Sequence, residues 1–203
     1  MTNAPRRGKQ PGDVVWQHSK VGTSERERLL GQRAVTVWFT GLPGSGKSTL
    51  AFDLEWRLIH CGRACFVLDG DNVRQGLNGD LGFTPDDRRE NIRRVAEVAR
   101  LMNDAGLIVI SAFISPYDAD RRMARAIVGE GRFVEAYLSA NVETCERRDP
   151  KGLYARARSG QVSHFTGVSA PYEVPECPDI VLATGEQSVS DCTDRMFAYL
   201  MTR

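Results

Sequence analysis

The sequence predicts an α/β fold in which an open parallel sheet carries helices on both faces. Short apolar runs alternate with longer segments whose apolar residues recur at helical spacing, the order of a repeating strand and helix unit. One run, residues 107–114, is apolar enough to form a strand buried on both faces. Another, residues 35–40, passes through a glycine-rich turn directly into helix formers. Together these observations indicate a parallel sheet.

The glycine-rich turn carries a phosphate-binding motif. Residues 41–48, GLPGSGKS, fit the pattern G-x-x-x-x-G-K-[ST], in which glycines let successive backbone N–H groups turn inward around an anion. Lys47 can reach the β- and γ-phosphates of a nucleotide, and Ser48 can offer its hydroxyl to Mg²⁺. The alternative is a plain glycine-serine turn, but strand, glycines, lysine and hydroxyl fall in the required order. The motif predicts a nucleoside triphosphate and leaves the acceptor open.

The other elements follow from periodicity and from capping residues. We expect a disordered polar arm over residues 1–13 and a short polar helix over residues 23–31. Thr84 is expected to cap a long helix with Pro85 at its first position, and Gly106 is expected to end it. The further predicted segments are helices 48–61, 119–128 and 189–201, a basic helical stretch 143–158, and strands 64–68, 107–114, 133–138 and 180–183. No repeat is visible, so we expect one domain over residues 14–203.

Composition limits the function. The 203 residues are 41% hydrophobic and 26% charged, and no run approaches the roughly 18 apolar residues of a membrane span. The formal net charge of +1 gives no general attraction to nucleic acid, so anion binding must come from local clusters. Five cysteines without a C-x-x-C pair predict reduced, mostly buried thiols in a cytoplasmic protein. Three scattered histidines do not suggest a zinc site, and we expect no metal beyond Mg²⁺.

Two acidic residues follow the second predicted strand. Asp69 and Asp71 lie just beyond it, where an open parallel sheet binds its ligands. One carboxylate there can hold Mg²⁺ through water or accept the proton of an attacking hydroxyl. A plain Asp-Gly turn is the alternative. The upstream phosphate loop favours the functional interpretation.

Three polar residues near these carboxylates form a candidate anion clamp. Arg88 and Asn91 share a helical stripe with core-facing apolar residues, yet both are polar and need a partner. Arg74 joins them, because a guanidinium binds phosphate or sulfate through two parallel hydrogen bonds. The alternative is capping or surface salt bridges within the helix. The salt-bridge partners would be Asp86, Asp87 or Glu90.

A basic cluster occupies residues 151–166, KGLYARARSGQVSHFT, which we call the basic segment. It contains Lys151, Arg156 and Arg158 and no acidic residue, so its charge is three minus zero, or +3. A mobile basic segment can close over phosphates, exclude water and supply charge to a transition state. The sequence therefore predicts a lid here, and a solvated helix face is the alternative.

Several longer motifs resemble one family. DGDNVRQGL, DLGFTPDDRRENIRRVAEVA, FISPYDADRR, RDPKGLYARAR and HFTGVSAPYEVP follow one another as they do in adenylylsulfate kinases. The resemblance runs from about residue 14 to the final helix. It implies a P-loop kinase fold and MgATP-dependent phosphorylation of the ribose 3′-hydroxyl of adenosine 5′-phosphosulfate (APS). The products would be 3′-phosphoadenosine 5′-phosphosulfate (PAPS) and ADP, formed in sulfate activation.

The resemblance also implies roles for individual residues. Asp69 would be the catalytic or Mg²⁺-linked acid, and Phe83 and Phe165 would sandwich the acceptor adenine, although both could be core aromatics. The phosphate-binding set is Gly41, Leu42, Pro43, Gly44, Ser45, Gly46, Lys47, Ser48 and Thr49. The acceptor-binding set is Asp71, Arg74, Phe83, Arg88, Asn91, Ile114, Ser115, Lys151 and Phe165. Mg²⁺ would be held by Ser48 and, through water, by Asp69.

Ser115 matches a serine that forms a phosphorylated intermediate in some family members. A serine needs an adjacent base to become a nucleophile, and no histidine or lysine adjoins Ser115 in sequence. Direct transfer from ATP to the acceptor needs only positioning and charge neutralisation. We therefore predict a sequential mechanism in which Ser115 positions groups by hydrogen bonding.

Two positions depart from the family pattern. Pro43 stands where many relatives have a small polar residue, and it should stiffen the phosphate loop. Asp118 stands where a basic residue is usual, so we assign no basic contact to it. The resemblance further implies a homodimer and functional coupling to an ATP sulfurylase. Charge and hydropathy predict no nucleic-acid or membrane partner.

Three other functions fit parts of the sequence. Another small-molecule kinase would share the phosphate loop and the lid but would lack the DGDNVR and FTG motifs. A weakly active regulatory subunit that partners an ATP sulfurylase would not need an intact Lys47, Ser48 and Asp69. A nucleic-acid-binding switch protein is disfavoured by the near-neutral charge.

Overall fold

The computed structural model describes residue 15 and residues 17–202, and it contains an open sheet of five parallel strands. The arm expected over residues 1–13 lies outside the described residues. The strands are β1 (Thr36–Thr40), β2 (Cys65–Asp69), β3 (Ile108–Ala112), β4 (Phe133–Leu138) and β5 (Ile180–Leu182). Their spatial order is β2-β3-β1-β4-β5, and every neighbouring pair is parallel. The predicted fold class is confirmed.

Helices connect these strands. They are α1 (Thr23–Leu30), α2 (Lys47–His60), α3 (Gly70–Arg74), α4 (Pro85–Asp104), α5 (Asp118–Val128), α6 (Val142–Arg148), α7 (Leu153–Arg158) and α8 (Val189–Met201), with a 3₁₀ turn at Glu130–Arg132. The start of α4 follows the predicted capping. The Thr84 hydroxyl accepts a hydrogen bond from the Asp87 N–H at 3.2 Å, and the Asp87 carboxylate accepts one from the Thr84 N–H.

The helices cover both faces of the sheet. On one face α2 and α8 pack against Val37, Phe39 and Ile110, while on the other α4 and α5 pack against Trp38 and Val109. The alternation of these strand residues follows the two-residue period of a strand whose faces are both buried. Because helices cover the two faces, the carboxyl ends of the strands form the open edge of the sheet.

The predicted segment 143–158 is two helices rather than one. The chain leaves α6 at Asp149, which has a φ of 13°, and α7 begins after Gly152, which has a φ of 63°. Pro150 lacks a backbone N–H, and a left-handed glycine ends a helical run, so the break has a local cause. The sequence prediction missed this break because the residues on both sides of Pro150 and Gly152 are basic and favour a helix.

Other boundaries differ by a few residues. β4 and α8 match the predicted bounds, whereas β3 is shorter at both ends. Beyond Ala112 the chain makes one further bond to β1, from the Phe113 N–H to the Phe39 carbonyl at 3.3 Å, and then continues toward Ser115. The expectation of mostly buried thiols was wrong: Cys61 and Cys177 are exposed, Cys65 is half-buried, and Cys145 and Cys192 are buried. None of the helices in the described part of the chain has both the length and the apolarity to cross a bilayer.

Candidate active site

A cavity of about 720 Å³ opens at the carboxyl ends of the strands. β1 lies between β3 and β4. The chain passes from β1 to β2 and β3 on one side of the sheet, and then to β4 and β5 on the other side. Such a reversal of strand order is where open α/β sheets bind ligands. The cavity is lined by most of the predicted site residues. The exceptions are Gly41, Leu42 and Phe165.

The phosphate loop joins β1 to α2 as predicted. Gly44 and Gly46 have φ values of 76° and 97°, a region that residues with a Cβ rarely adopt. A Cβ on Gly44 would lie 2.9 Å from the Cys145 carbonyl oxygen, so this glycine also permits close packing. The N-terminus of α2 begins at Lys47, directly after the loop. Its free N–H groups and dipole therefore point toward the cavity.

Lys47 is buried beneath the loop. Its ammonium donates hydrogen bonds to the carbonyl oxygens of Gly41 at 3.0 Å and Leu42 at 2.7 Å, and to the Ser45 hydroxyl at 3.3 Å. Burial lowers the pKa of Lys47 to about 8. A nearby phosphate would favour the charged form. The loop therefore holds this cation in place before any ligand arrives.

Asp69 and Ser48 form a hydrogen-bonded pair in the lining of the cavity. The Ser48 hydroxyl donates to Asp69 Oδ2 at 2.6 Å, and Asp69 Oδ1 accepts from the N–H groups of Asp71 at 3.0 Å and Asn72 at 3.4 Å. Asp69 is thereby the N-cap of α3. A hydroxyl and a carboxylate are the oxygen ligands that Mg²⁺ prefers. The described residues contain no group of three His, Cys, Asp or Glu able to hold a metal.

The basic segment contacts two residues that line the cavity, Asp71 and Arg88. Lys151 forms a salt bridge with Asp71. Arg88 donates to the His164 carbonyl at 2.9 Å and to the Thr166 hydroxyl at 3.4 Å. Because α3 and α4 supply Asp71 and Arg88, these contacts join the basic segment to both helices. Another cation of the segment, Arg158, instead pairs with Glu146.

The arginines of the predicted clamp have partners within the chain. Arg74 lies in α3 and donates to the carbonyl oxygens of Leu81 at 2.9 Å and Gly82 at 3.0 Å. Arg88 also donates to the Phe83 carbonyl, and no salt bridge from it to the acidic residues of α4 is present in the described chain. Burial lowers the pKa of both arginines, and for Arg74 the nearby charge of Arg88 adds to this effect. Two cations partly removed from water leave a positive site for an anion.

The two predicted adenine-stacking rings lie in different environments. Phe83 is 62% exposed, and the Arg74 guanidinium lies 4.3 Å from its ring centre. Phe165 is buried and meets Tyr154 edge to face at 5.0 Å. It belongs to a separate hydrophobic cluster, which we call the lid core. The lid core comprises Leu42, Ala140, Cys145, Tyr154, Ala157 and Phe165.

Alanine substitution should separate the roles of these rings. We expect Phe165→Ala to lower the free energy of unfolding by about 3 kcal/mol, because it leaves a cavity in the lid core. Phe83→Ala should leave the melting temperature unchanged and weaken binding of APS, the acceptor that the resemblance implies, by about 0.5–1.5 kcal/mol, the worth of an aromatic contact. Thermal unfolding and APS titration measure the two effects. If Phe165→Ala were as stable as wild type but bound APS more weakly, Phe165 would be an acceptor-binding residue and not a core residue.

The chain after β3 forms a rigid wall of the cavity. The Thr40 hydroxyl donates to the Ile114 carbonyl at 2.8 Å, and the Trp38 indole N–H donates to the Ser115 hydroxyl oxygen at 3.1 Å. Arg121 donates to the Ser115 carbonyl at 2.9 Å. Ser115 is 2% exposed and has a φ of 38°, so neighbouring groups hold it in a strained conformation.

Sequence reasoning missed the opposite end of the cavity. Arg148 at the end of α6 donates to the Thr184 carbonyl at 2.6 Å, and the Thr184 hydroxyl is buried without a hydrogen-bond partner in the described chain. Gln187, Ser188 and Val189 also line this end. The available signal was position, because residues 184–189 follow β5 at the carboxyl edge of the sheet.

The two departures from the family pattern also have contacts. The Pro43 carbonyl accepts a hydrogen bond from the Tyr154 hydroxyl at 2.9 Å, which joins the phosphate loop to the lid core. Asp118 lies 2.8 Å from Arg122 in a salt bridge at the start of α5. The negative charge of Asp118 therefore balances the positive charge of Arg122.

A parallel α/β sheet whose first strand passes through this glycine-rich loop into a helix defines a P-loop protein. A family model described as adenylylsulphate kinase matches residues 33–183. The chain belongs to the adenylylsulphate kinase family.

Individual relatives agree with this assignment. An adenylyl-sulfate kinase from Marinobacter nauticus is 54% identical over 191 residues, which are 94% of this chain and 96% of that protein. The bifunctional enzyme NodQ from a Rhizobium species is 55% identical over 191 residues, 94% of this chain and 30% of NodQ. The APS kinase of Mycobacterium tuberculosis, solved in complex with AMPPNP and APS, has a TM-score of 0.80 and 44% identity. That match covers 84% of this chain and 99% of the solved chain.

Proposed function

We propose that this protein transfers the γ-phosphoryl group of ATP to the ribose 3′-hydroxyl of APS, giving PAPS and ADP. The observation that carries the proposal is the arrangement of one cavity. The phosphate loop with Lys47, the carboxylate Asp69, and the polar set of Arg74, Arg88 and Asn91 all line it. Asp69 links the two groups, because it bonds Ser48 at the start of α2 and caps α3, which carries Arg74. A donor triphosphate and an anionic acceptor can therefore meet at a carboxylate.

Each group has a distinct role in this reaction. The N–H groups of the phosphate loop and Lys47 hold the β- and γ-phosphates, and Asp69 accepts the proton of the attacking hydroxyl or orients it. Arg74 and Arg88 bind the phosphosulfate anion once it displaces their present carbonyl partners. Ser48 and Asp69 would hold Mg²⁺, which supplies positive charge to the phosphate oxygens when bound. The opposite end, at Arg148 and Thr184, would receive the ATP base.

Substrate stimulation of ADP formation tests the proposal. We expect APS to raise ADP release from MgATP at least about tenfold more than AMP, because the sulfate adds an anion for the arginine pair. Shikimate and gluconate, acceptors of other small kinases, should give no stimulation. A coupled ADP assay with each acceptor measures this. Equal stimulation by AMP would contradict sulfate recognition.

Ser115→Ala should retain measurable turnover. The Ser115 hydroxyl is buried and accepts from Trp38, so its removal leaves the buried Trp38 N–H unpaired, at a cost of about 1–3 kcal/mol, and removes no nucleophile. We expect intersecting initial-rate lines with both substrates varied. Labelled ATP without acceptor should leave no label on the protein. Parallel lines, with a phosphoserine that passes its label to APS at the turnover rate, would establish the covalent route.

The remaining assignments extend the same proposal. We infer that ATP is the co-substrate, that Mg²⁺ is the cofactor, and that the protein acts in the cytoplasm as a homodimer. An ATP sulfurylase would supply the APS. Size-exclusion chromatography with light scattering tests the dimer, and a monomeric active protein would contradict it.

A further inference from the structure

Asn91 lines the cavity near Arg88, and its amide oxygen already accepts a hydrogen bond from within the protein. Its Oδ1 accepts a hydrogen bond from Asn78 Nδ2 at 3.0 Å, and the side chain lines the cavity one helical turn after Arg88. An amide has an acceptor end and a donor end. Because the oxygen is engaged, the NH₂ group is the part left for a ligand. An anion requires a donor there.

Asn78 lies in the loop between α3 and α4 and is fully buried. Its backbone N–H donates to the Val73 carbonyl at 2.9 Å, and its carbonyl accepts from the Leu81 N–H at 3.1 Å. Neither of these backbone bonds requires an asparagine side chain. Asn78 Oδ1 is buried without a hydrogen-bond partner in the described chain. A leucine would fill a similar volume without a buried unsatisfied oxygen, so packing alone does not account for an asparagine.

We propose that Asn78 is a positioning residue that orients the Asn91 amide so that its NH₂ group faces the phosphosulfate of APS. The inference rests on the proposed function. Asn78 acts through Asn91 and lies outside the residues that line the cavity. Without the Asn78 donor, the Asn91 amide is free to rotate and present its oxygen to the anion. The repulsion would weaken acceptor binding and leave the ATP end unchanged.

Two substitutions at position 78 test this role. Asn78→Leu removes the donor, and Asn78→Asp replaces it with an acceptor that attracts the Asn91 NH₂ group away from the cavity. We expect KM for APS to rise about fivefold or more in Asn78→Leu and about tenfold or more in Asn78→Asp. KM for ATP should stay within about twofold, since the phosphate loop is untouched. In an Asn91→Ala background, Asn78→Leu should change KM for APS by less than about twofold.

Asn103→Leu is the matched control. Asn103 is also a fully buried asparagine, but it lies at the far end of α4 and bonds Thr36 and the Leu107 carbonyl. Its replacement should lower the melting temperature without an APS-specific rise in KM. If Asn78→Leu behaves like Asn103→Leu, or if its effect persists unchanged in the Asn91→Ala background, the positioning role is wrong. A wild-type protein that neither binds nor phosphorylates APS would overturn the proposed function as well, whereas an active wild type with unaffected Asn78 variants overturns only this inference.

Discussion

Replacing Asp69 with asparagine should lower turnover by on the order of 10²-fold or more. The carboxylate lines the cavity beside the phosphate loop, and its Oδ2 accepts from the Ser48 hydroxyl at 2.6 Å. Asparagine has the same shape and is an equally good N-cap, so the start of α3 should survive. What disappears is the negative charge that accepts a proton or attracts Mg²⁺. Steady-state kinetics with MgATP and APS, together with ATP titration, separate lost catalysis from lost binding.

Asp71→Asn is the matched control. It changes the same atoms two residues away, but Asp71 is exposed and pairs with Lys151 rather than with Ser48. We expect its turnover number to stay within about threefold of wild type, because exposed salt bridges contribute little. If Asp69→Asn changed turnover by less than about threefold while Asp71→Asn abolished it, the catalytic role would belong to Asp71.

Glu135→Ala should destabilise the fold by about 3–5 kcal/mol. Glu135 on β4 lies 2.7 Å from Arg121 Nε, and the Arg121 side chain is only 1% exposed. Removing the carboxylate leaves the buried guanidinium with only the more distant and partly exposed Asp118 carboxylate, at 3.6 Å, as counter-charge. Breaking such a buried pair costs more than the pair contributes. At roughly 2–4 °C per kcal/mol for a chain of this size, the melting temperature should fall by on the order of 10 °C. Differential scanning calorimetry measures the shift.

Glu130→Ala provides the comparison for this result. Glu130 also pairs with an arginine of α5, lying 3.8 Å from Arg125, but its side chain is 80% exposed. Its removal should cost less than about 1 kcal/mol. Similar shifts for the two variants would mean that water reaches the Arg121 site after substitution. Arg121 also donates to the Ser115 carbonyl, so a large shift from Glu135→Ala should be accompanied by slower turnover.

Local signals predicted the fold well. The cap at Thr84 and the bounds of β4 and α8 depend on residues adjacent in sequence, and the structure confirms them. The break between α6 and α7 was also local, at Pro150 and Gly152, but a basic, helix-like pattern outweighed it. This boundary was missed because two local signals disagreed.

The sequence predicted which residues form the candidate site but not the partners that their side chains bond. The phosphate loop and Asp69 follow directly from motif and strand end, whereas the partners of Arg74 and Arg88 depend on how loops close around them. Arg88 bonds residues 164 and 166, which no local pattern connects to α4. Arginine is usually exposed, yet Arg121 on α5 is buried between Glu135 of β4 and the Ser115 carbonyl. The hydrogen-bond and ion-pair partners of these arginines therefore depend on contacts between segments that are distant in sequence.

The lid core has a consequence for local unfolding. Leu42 contributes to it from the phosphate loop, and Tyr154 donates to Pro43 in the same loop. The basic segment and the phosphate loop therefore share one small cooperative unit, and opening one exposes apolar surface of the other. In amide hydrogen exchange, residues on both sides of this contact should exchange with a common opening free energy. A ligand that orders the phosphate loop would raise protection in the basic segment without touching it.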